Sequence, residues 1–170
     1  MKAEEWVNYE DNIARQGRIE RLQWLLEQTP DSKIWLFYDG IISQELFEQT
    51  RYCFVYGQYL ATIILGVSFI EHLLAALFYG TGRDDLERAN LALLSEEALL
   101  AGWVSKEEKD TIDEARTIRN DVTHFRKPGS NLPLMKLTFG DSELLEEFLE
   151  IKAQQIMLIV FHLLKRTSVR

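Results

Sequence analysis

The stretch that decides the fold is residues 52–70, YCFVYGQYLATIILGVSFI, which holds 19 residues and no charged side chain. Its length is close to the ~20 residues that a helix needs to cross a bilayer. However, polar side chains such as Thr62 and Ser68 interrupt it, Glu71 and His72 continue it, and Lys and Arg do not cluster on one flank. The stretch therefore predicts a buried central helix, and we expect no membrane partner.

On both sides of this stretch the hydrophobic periodicity predicts helices along most of the chain. The central helix should run from about 43 to 79, with the glycines that follow ending it. Its apolar stripe consists of Leu60, Ile64, Val67, Leu74 and Phe78. The other helices are predicted over 4–28, 86–100, 105–125 and about 142–165. This pattern indicates an all-α, up-and-down bundle of about five helices.

Local signals refine the ends of these elements. Ser105 followed by Glu108 forms a capping box, which is typical of a helix start, and Asp84 or Asp85 is expected to cap the Leu-rich piece. The aromatic segment 33–38 is predicted to be a brief strand or an extended loop that packs on the bundle. Residues 134–139 are a second candidate strand, and the two segments can pair.

Length and composition indicate one globular domain spanning residues 1–170, because the chain is 46% hydrophobic and contains only three prolines and nine glycines. The single cysteine, Cys53, lies in the apolar run and is expected to be a buried structural thiol. Met1 leads directly into the charged residues Lys2, Glu4 and Glu5, which does not resemble a secretory signal. We therefore expect a cytoplasmic protein.

The formal charge of −8 argues against a surface that coats nucleic acid broadly. Basic side chains nevertheless concentrate in one region, where Arg116, Arg119, Arg126 and Lys127 follow one another closely. A small, local anion site is therefore compatible with the acidic total.

That basic region contains residues 119–124, RNDVTH. On a helix over 105–125 an apolar stripe is formed by Ile112, Ala115, Ile118, Val122 and Phe125. Arg119 lies at the edge of this stripe, and Thr123, Asn120 and His124 follow around the side, so that His124 points away from the core. An arginine can grip a phosphate and a histidine can move a proton near neutral pH. The alternative is an ordinary polar helix face, with His124 favoured by the helix dipole.

Glu71 falls inside the apolar stripe of the central helix, and a carboxylate there needs a partner. Arg119 or Arg116 on the neighbouring helix is the candidate partner, and pairing with Arg119 would fix the orientation of the guanidinium. Alternatively, Glu71 reaches a bundle end or a capped backbone group.

With these residues the chain resembles the HEPN superfamily of helical domains. The resemblance rests on Arg119-Asn120 followed by His124, which corresponds to the Arg-polar-x-x-x-His signature of the family, and on the long apolar helix that carries Glu71. It covers roughly residues 50–165. It departs at Arg126, where toxin members that are silenced by nucleotidylation carry a tyrosine.

The resemblance implies a metal-independent endoribonuclease that leaves 2′,3′-cyclic phosphate ends and acts as a homodimer joining two copies of the motif. His124 would be the general acid or base, Arg119 would bind the scissile phosphate, and Asn120 would orient either group. Supporting contacts would come from Glu71, Thr123 and Arg116, and further phosphate contacts from Arg126 and Lys127. Such enzymes serve toxin–antitoxin or defence systems, so an antitoxin or another protein is a further expected partner.

Two functions other than ribonuclease activity are alternatives for this chain. Some members of the family are non-catalytic modules that bind a protein or a nucleotide, and the acidic balance is compatible with that role. A helical metal enzyme would need two carboxylate-x-x-His pairs, whereas the chain offers only Asp121-x-x-His124, and His72 and His162 lack such a pair. We therefore expect no metal and no other cofactor.

Overall fold

The computed structural model describes residues 2–29, 34–37, 40–125 and 142–169. Within these ranges the chain forms six α-helices, which are α1 (Ala3–Gln28), α2 (Ile41–Val55), α3 (Tyr59–Gly80), α4 (Leu91–Leu100), α5 (Lys106–Thr123) and α6 (Ser142–Arg166). The prediction of an all-α bundle is confirmed, with six helices in the described ranges where about five were expected.

The prediction of one continuous helix over 43–79 is wrong, because the helix is interrupted between the end of α2 and the start of α3. Gly57 has a φ of +71°, a conformation that glycine adopts without steric cost. The guanidinium of Arg21, on α1, occupies the space beside it and donates to the carbonyl oxygen of Val55 at 2.9 Å and to the hydroxyl of Tyr59 at 3.3 Å. The hydrogen bond to the last carbonyl of α2 is thus donated by a side chain that lies 34 residues earlier in the chain.

Helix α3 is the centre of the bundle and contacts α2, α4, α5 and α6. Ten of its residues are buried. By length and composition it is the helix among the described residues that could cross a membrane, and 44% of its apolar window is buried within the bundle. At Gly66 the helix lies close to α6, since a Cβ there would be 2.5 Å from Cγ2 of Ile156.

The aromatic segment near residue 35 packs on the bundle, as the sequence predicts. Trp35 meets Phe47 edge to face, with ring centroids 5.3 Å apart, and Phe37 packs on both Phe47 and Phe69. Within the described residues Ile34–Trp35 (β1) pairs antiparallel with Ser168–Val169 (β2), which the sequence did not indicate, and the pairing with 134–139 stays a prediction. Residues 134–139 themselves lie outside the described ranges.

The ends of α4 and α5 define the part of the bundle that carries the motif. Asn90, and not Asp84 or Asp85, caps α4 by accepting from the N–H of Leu93 at 3.1 Å; Asp84–Leu86 forms a 3₁₀ turn. The Ser105–Glu108 capping box at the start of α5 is confirmed. The second oxygen of Glu108 lies 2.5 Å from Nδ1 of His162, which joins the start of α5 to α6.

The single cysteine lies in the core as predicted. Cys53 is on α2, is buried, and is free. Burial raises the pKa of its thiol above the ordinary value. Because the thiolate is the nucleophilic form, the environment favours a structural thiol over a reactive one.

Candidate functional site

Helix α5 carries the motif, and its buried face holds it against the bundle. Ile112, Ala115 and Ile118 are at most 1% exposed, as the predicted stripe requires. The last two members of that stripe do not follow the prediction, because Val122 is 40% exposed and Phe125 is 89% exposed. The helix ends at Thr123 rather than at 125, so the helical phase that would turn Phe125 toward the core is lost.

The core of the site is an ion pair between two helices. Nη1 of Arg119, on α5, donates to Oε2 of Glu71, on α3, at 2.9 Å. The other carboxylate oxygen of Glu71 accepts from the backbone N–H of Leu91, the first residue of α4, at 3.1 Å. Both alternatives left open by the sequence are therefore realised at once, since Glu71 holds an arginine and also caps a helix. A carboxylate in this position is favoured by the dipole of α4.

This arrangement orients the Arg119 guanidinium and leaves most of its donors available. A guanidinium presents five N–H donors in a planar fork, and the contacts among the described residues engage Nη1 alone. The side chain of Arg119 is 23% exposed, and that of Glu71 is 30% exposed. Arg119 can therefore offer a charge-assisted pair of donors to an anion that approaches from solvent.

His124 lies immediately beyond the helix, in the C-cap position, with φ −124° and ψ 133°. Its backbone N–H donates to the carbonyl oxygen of Asn120 at 3.2 Å. Its side chain is exposed, and within the described part of the chain it makes no hydrogen bond or ion pair. The described residues therefore leave the imidazole exposed and unengaged.

The remaining predicted site residues occupy different environments. Thr123 donates its hydroxyl to the carbonyl oxygen of Arg119 at 2.8 Å, and Asn120 is half-buried beside it. Arg116 lies 3.5 Å from the carboxylate of Asp113, and no contact joins it to Glu71. Arg126 and Lys127, predicted to bind phosphate, lie outside the described residues.

A groove of about 950 Å³ adjoins this site, and the sequence did not reveal it. Glu71 forms part of its wall together with Ser68, His72, Tyr79, Glu87 and Arg88. The walls come from α3 and from the connection before α4, segments whose relative position follows from the tertiary fold. The only local signal is the run of small residues on α3, which leaves space along that helix.

The chain was also compared with models of known protein families, with curated proteins and with solved structures. None of the three comparisons found a match.

Proposed function

We propose that this protein is a metal-independent endoribonuclease of the HEPN type, which cleaves RNA to 2′,3′-cyclic phosphate ends and completes its active site by homodimerisation in the cytoplasm. The observation that supports it most directly is the ion pair of Glu71 and Arg119, which presents an oriented guanidinium five residues before the exposed His124. A phosphate-binding group and a proton-transfer group thus lie at the same end of α5.

In the proposed reaction the ribose 2′-oxygen attacks phosphorus and the bond from phosphorus to the 5′-oxygen breaks. The 2′-hydroxyl loses a proton and the leaving 5′-oxygen gains one, so the products are a cyclic phosphate and a free 5′-hydroxyl. His124 transfers one of these protons, a contribution worth about 10²–10⁴-fold in rate. Arg119 stabilises the negative charge that develops on the non-bridging oxygens, and Asn120 orients the phosphate or the imidazole.

The chemistry also favours a homodimer. Cleavage needs two proton transfers, and each chain contributes one histidine at this site. In a two-fold symmetric dimer a surface patch meets its own copy, so two His124 side chains can face one scissile bond. Toxin–antitoxin or defence systems are the proposed setting, in which an antitoxin would cover the same exposed face.

The deciding experiment is cleavage of mixed-sequence RNA in excess EDTA, comparing wild type with His124→Ala. We expect the wild type to release cyclic phosphate ends and the variant to lose about 10²–10⁴-fold of that rate. Arg119→Ala should lose about 10²–10³-fold. Arg15→Ala is the matched control, because Arg15 is exposed on α1 and lies far from the motif in sequence.

Cleavage by His124→Ala at the wild-type rate would overturn the proposal, provided that all variants show the same thermal melting. Loss of wild-type activity in EDTA, with recovery on adding a divalent metal, would also contradict it. Absence of cleavage by the wild type and the variant alike would instead favour the second candidate, a non-catalytic helical module that binds a protein or a nucleotide. The net charge of −8 and the groove beside Glu71 are the two observations that favour that candidate.

A further inference from the structure

We infer that the groove beside Glu71 binds a short single-stranded RNA segment that flanks the scissile phosphate, with one base stacked on Tyr79. This inference rests on the proposed ribonuclease function and names the part of the substrate that this chain recognises away from the reacting bond.

The position of the groove is the first argument. Glu71 lines the groove and is at the same time bonded to Arg119 at 2.9 Å. One carboxylate therefore separates the proposed phosphate site from the groove, and a strand held by Arg119 can continue directly into it. The volume of about 950 Å³ is at the upper end of the ~300–1,000 Å³ found for small-molecule sites.

The second argument is the aromatic ring at the far end. Tyr79 lines the groove and remains 62% exposed, without a stacking partner among the described aromatic residues. It follows Glu71 by eight residues, or about 12 Å along a helix at 1.5 Å per residue. At about 3.4 Å per stacked nucleotide, that distance accommodates at most about three nucleotides. Ala75 lies between them and keeps the path open.

The polar groups of the groove fit the rest of a nucleotide. Arg88 is exposed and can contact a second phosphate. Ser68 already donates its hydroxyl to the carbonyl oxygen of Ile64 at 2.9 Å, so toward a ligand it can act as an acceptor. The groove therefore offers a complementary side chain to a base and to a phosphate.

A single strand fits these features better than a duplex. A base can stack on an aromatic side chain only when it is free of its neighbours, and protein recognition of RNA usually uses such unpaired bases. Stacking of this kind tolerates different sequences, because every base has a π-face. A random-sequence probe is therefore suitable for the test.

The experiment measures binding of a fluorescent, random-sequence hexanucleotide whose ribose 2′-oxygens are methylated. The methyl groups remove the attacking nucleophile, so the probe reports binding without cleavage. We expect Tyr79→Ala to weaken binding by roughly 5- to 150-fold, as loss of one stacked base does, and Tyr79→Phe to bind like the wild type. Tyr9→Ala is the matched control, since Tyr9 is 58% exposed on α1.

A second variant tests the phosphate contact. Arg88→Ala should reduce the slope of log affinity against log salt by about 0.7, the value for one phosphate contact on a single strand. Arg15→Ala should leave the slope unchanged.

Equal affinity of the wild type and Tyr79→Ala for the probe would overturn the inference, as would absence of wild-type binding at millimolar protein. Both results are separate from the cleavage assay. Probe binding that depends on Tyr79, together with no cleavage of unmodified RNA, would support the groove and reject the ribonuclease.

Discussion

At the scale of single residues, Glu71 shows how one side chain can organise a site. Its two oxygens hold the Arg119 guanidinium and the first backbone N–H of α4, so three helices meet at one carboxylate. Replacing it by a group that cannot accept both bonds would leave Arg119 without its orienting partner and α4 without a cap. The cost of Glu71 to the apolar face of α3 is thereby offset by two charge-assisted contacts.

Gly66 offers a residue-scale prediction about packing. A Cβ at this position would meet Cγ2 of Ile156 at 2.5 Å, and Ile156 is fully buried and β-branched, so it has little freedom to move. We expect Gly66→Ala to be less stable than Gly80→Ala by about 1–3 kcal/mol, the usual cost of overpacking. Gly80 is the matched control, because a Cβ there meets nothing within 4 Å. Urea denaturation of both variants measures the difference.

Adding Ile156→Leu to Gly66→Ala makes the same prediction sharper. Leucine is not branched at Cβ and so lacks the Cγ2 methyl that causes the clash. The double variant should therefore recover part of the lost free energy of unfolding, a coupling that a double-mutant cycle isolates. Equal stability of the Gly66 and Gly80 variants would show that α3 and α6 are not closely packed at this point.

At the scale of elements, α1 is longer than α2, the helix it packs against. Its 26 residues extend about 39 Å, whereas the 15 residues of its neighbour α2 extend about 22 Å. The second half of α1 packs on the bundle, because the Trp24 ring lies 5.1 Å from that of Phe54 and Leu25 is buried. In the first half Trp6 and Ile13 are 52% and 60% exposed. The two halves of α1 should therefore contribute unequally to stability.

This difference is testable by alanine substitution at one position in each half. Leu25→Ala should lower the free energy of unfolding by about 2–5 kcal/mol, because it leaves a cavity in the core. Trp6→Ala should change it by no more than about 0.5 kcal/mol, as is usual for exposed positions. Chemical denaturation of both variants provides the comparison, and a Trp6 effect as large as that of Leu25 would contradict the arrangement of α1.

At the scale of the whole molecule, the motif end of α5 presents apolar surface beside the proposed catalytic histidine. Val122 and Phe125 flank His124 and are 40% and 89% exposed. We expect a second copy of the chain to cover them, because such a contact would bury the two side chains and bring two motifs together. Light scattering should then give a mass twice that of the 19.9 kDa chain.

Phe125→Asp should shift that mass toward the monomer and reduce RNA cleavage in parallel, since it introduces a charge into the expected interface. Leu100→Asp is the control, because Leu100 is 74% exposed at the end of α4 and should not affect either measurement. A wild type that remains a monomer at the concentrations of the cleavage assay would contradict homodimerisation.

Much of the helical framework could be predicted because its causes are local. The alternation of apolar and polar residues indicates α1, α5 and α6 to within two residues at each end, whereas α4 begins at Leu91 and not near residue 86. The Ser105–Glu108 box marks the start of α5 correctly. The ion pair of Glu71 and Arg119 was also foreseeable, although with Arg116 as an equal candidate. A carboxylate in an apolar stripe needs a partner, and only a few cations are near enough in a helical bundle to provide one.

By itself the sequence determined the all-α class, the central apolar helix and the grouping of Arg119 with His124 at one helix end, because these depend on periodicity and on neighbours along the chain. Only the tertiary structure decided that the helix is interrupted at Gly57, where the guanidinium of Arg21 occupies the space beside the glycine. The pairing of Ile34–Trp35 with Ser168–Val169 was likewise decided by the tertiary structure. It also decided the groove beside Glu71, whose walls come from separate segments. Each of these features joins residues distant along the chain, and such contacts form only when the whole bundle packs.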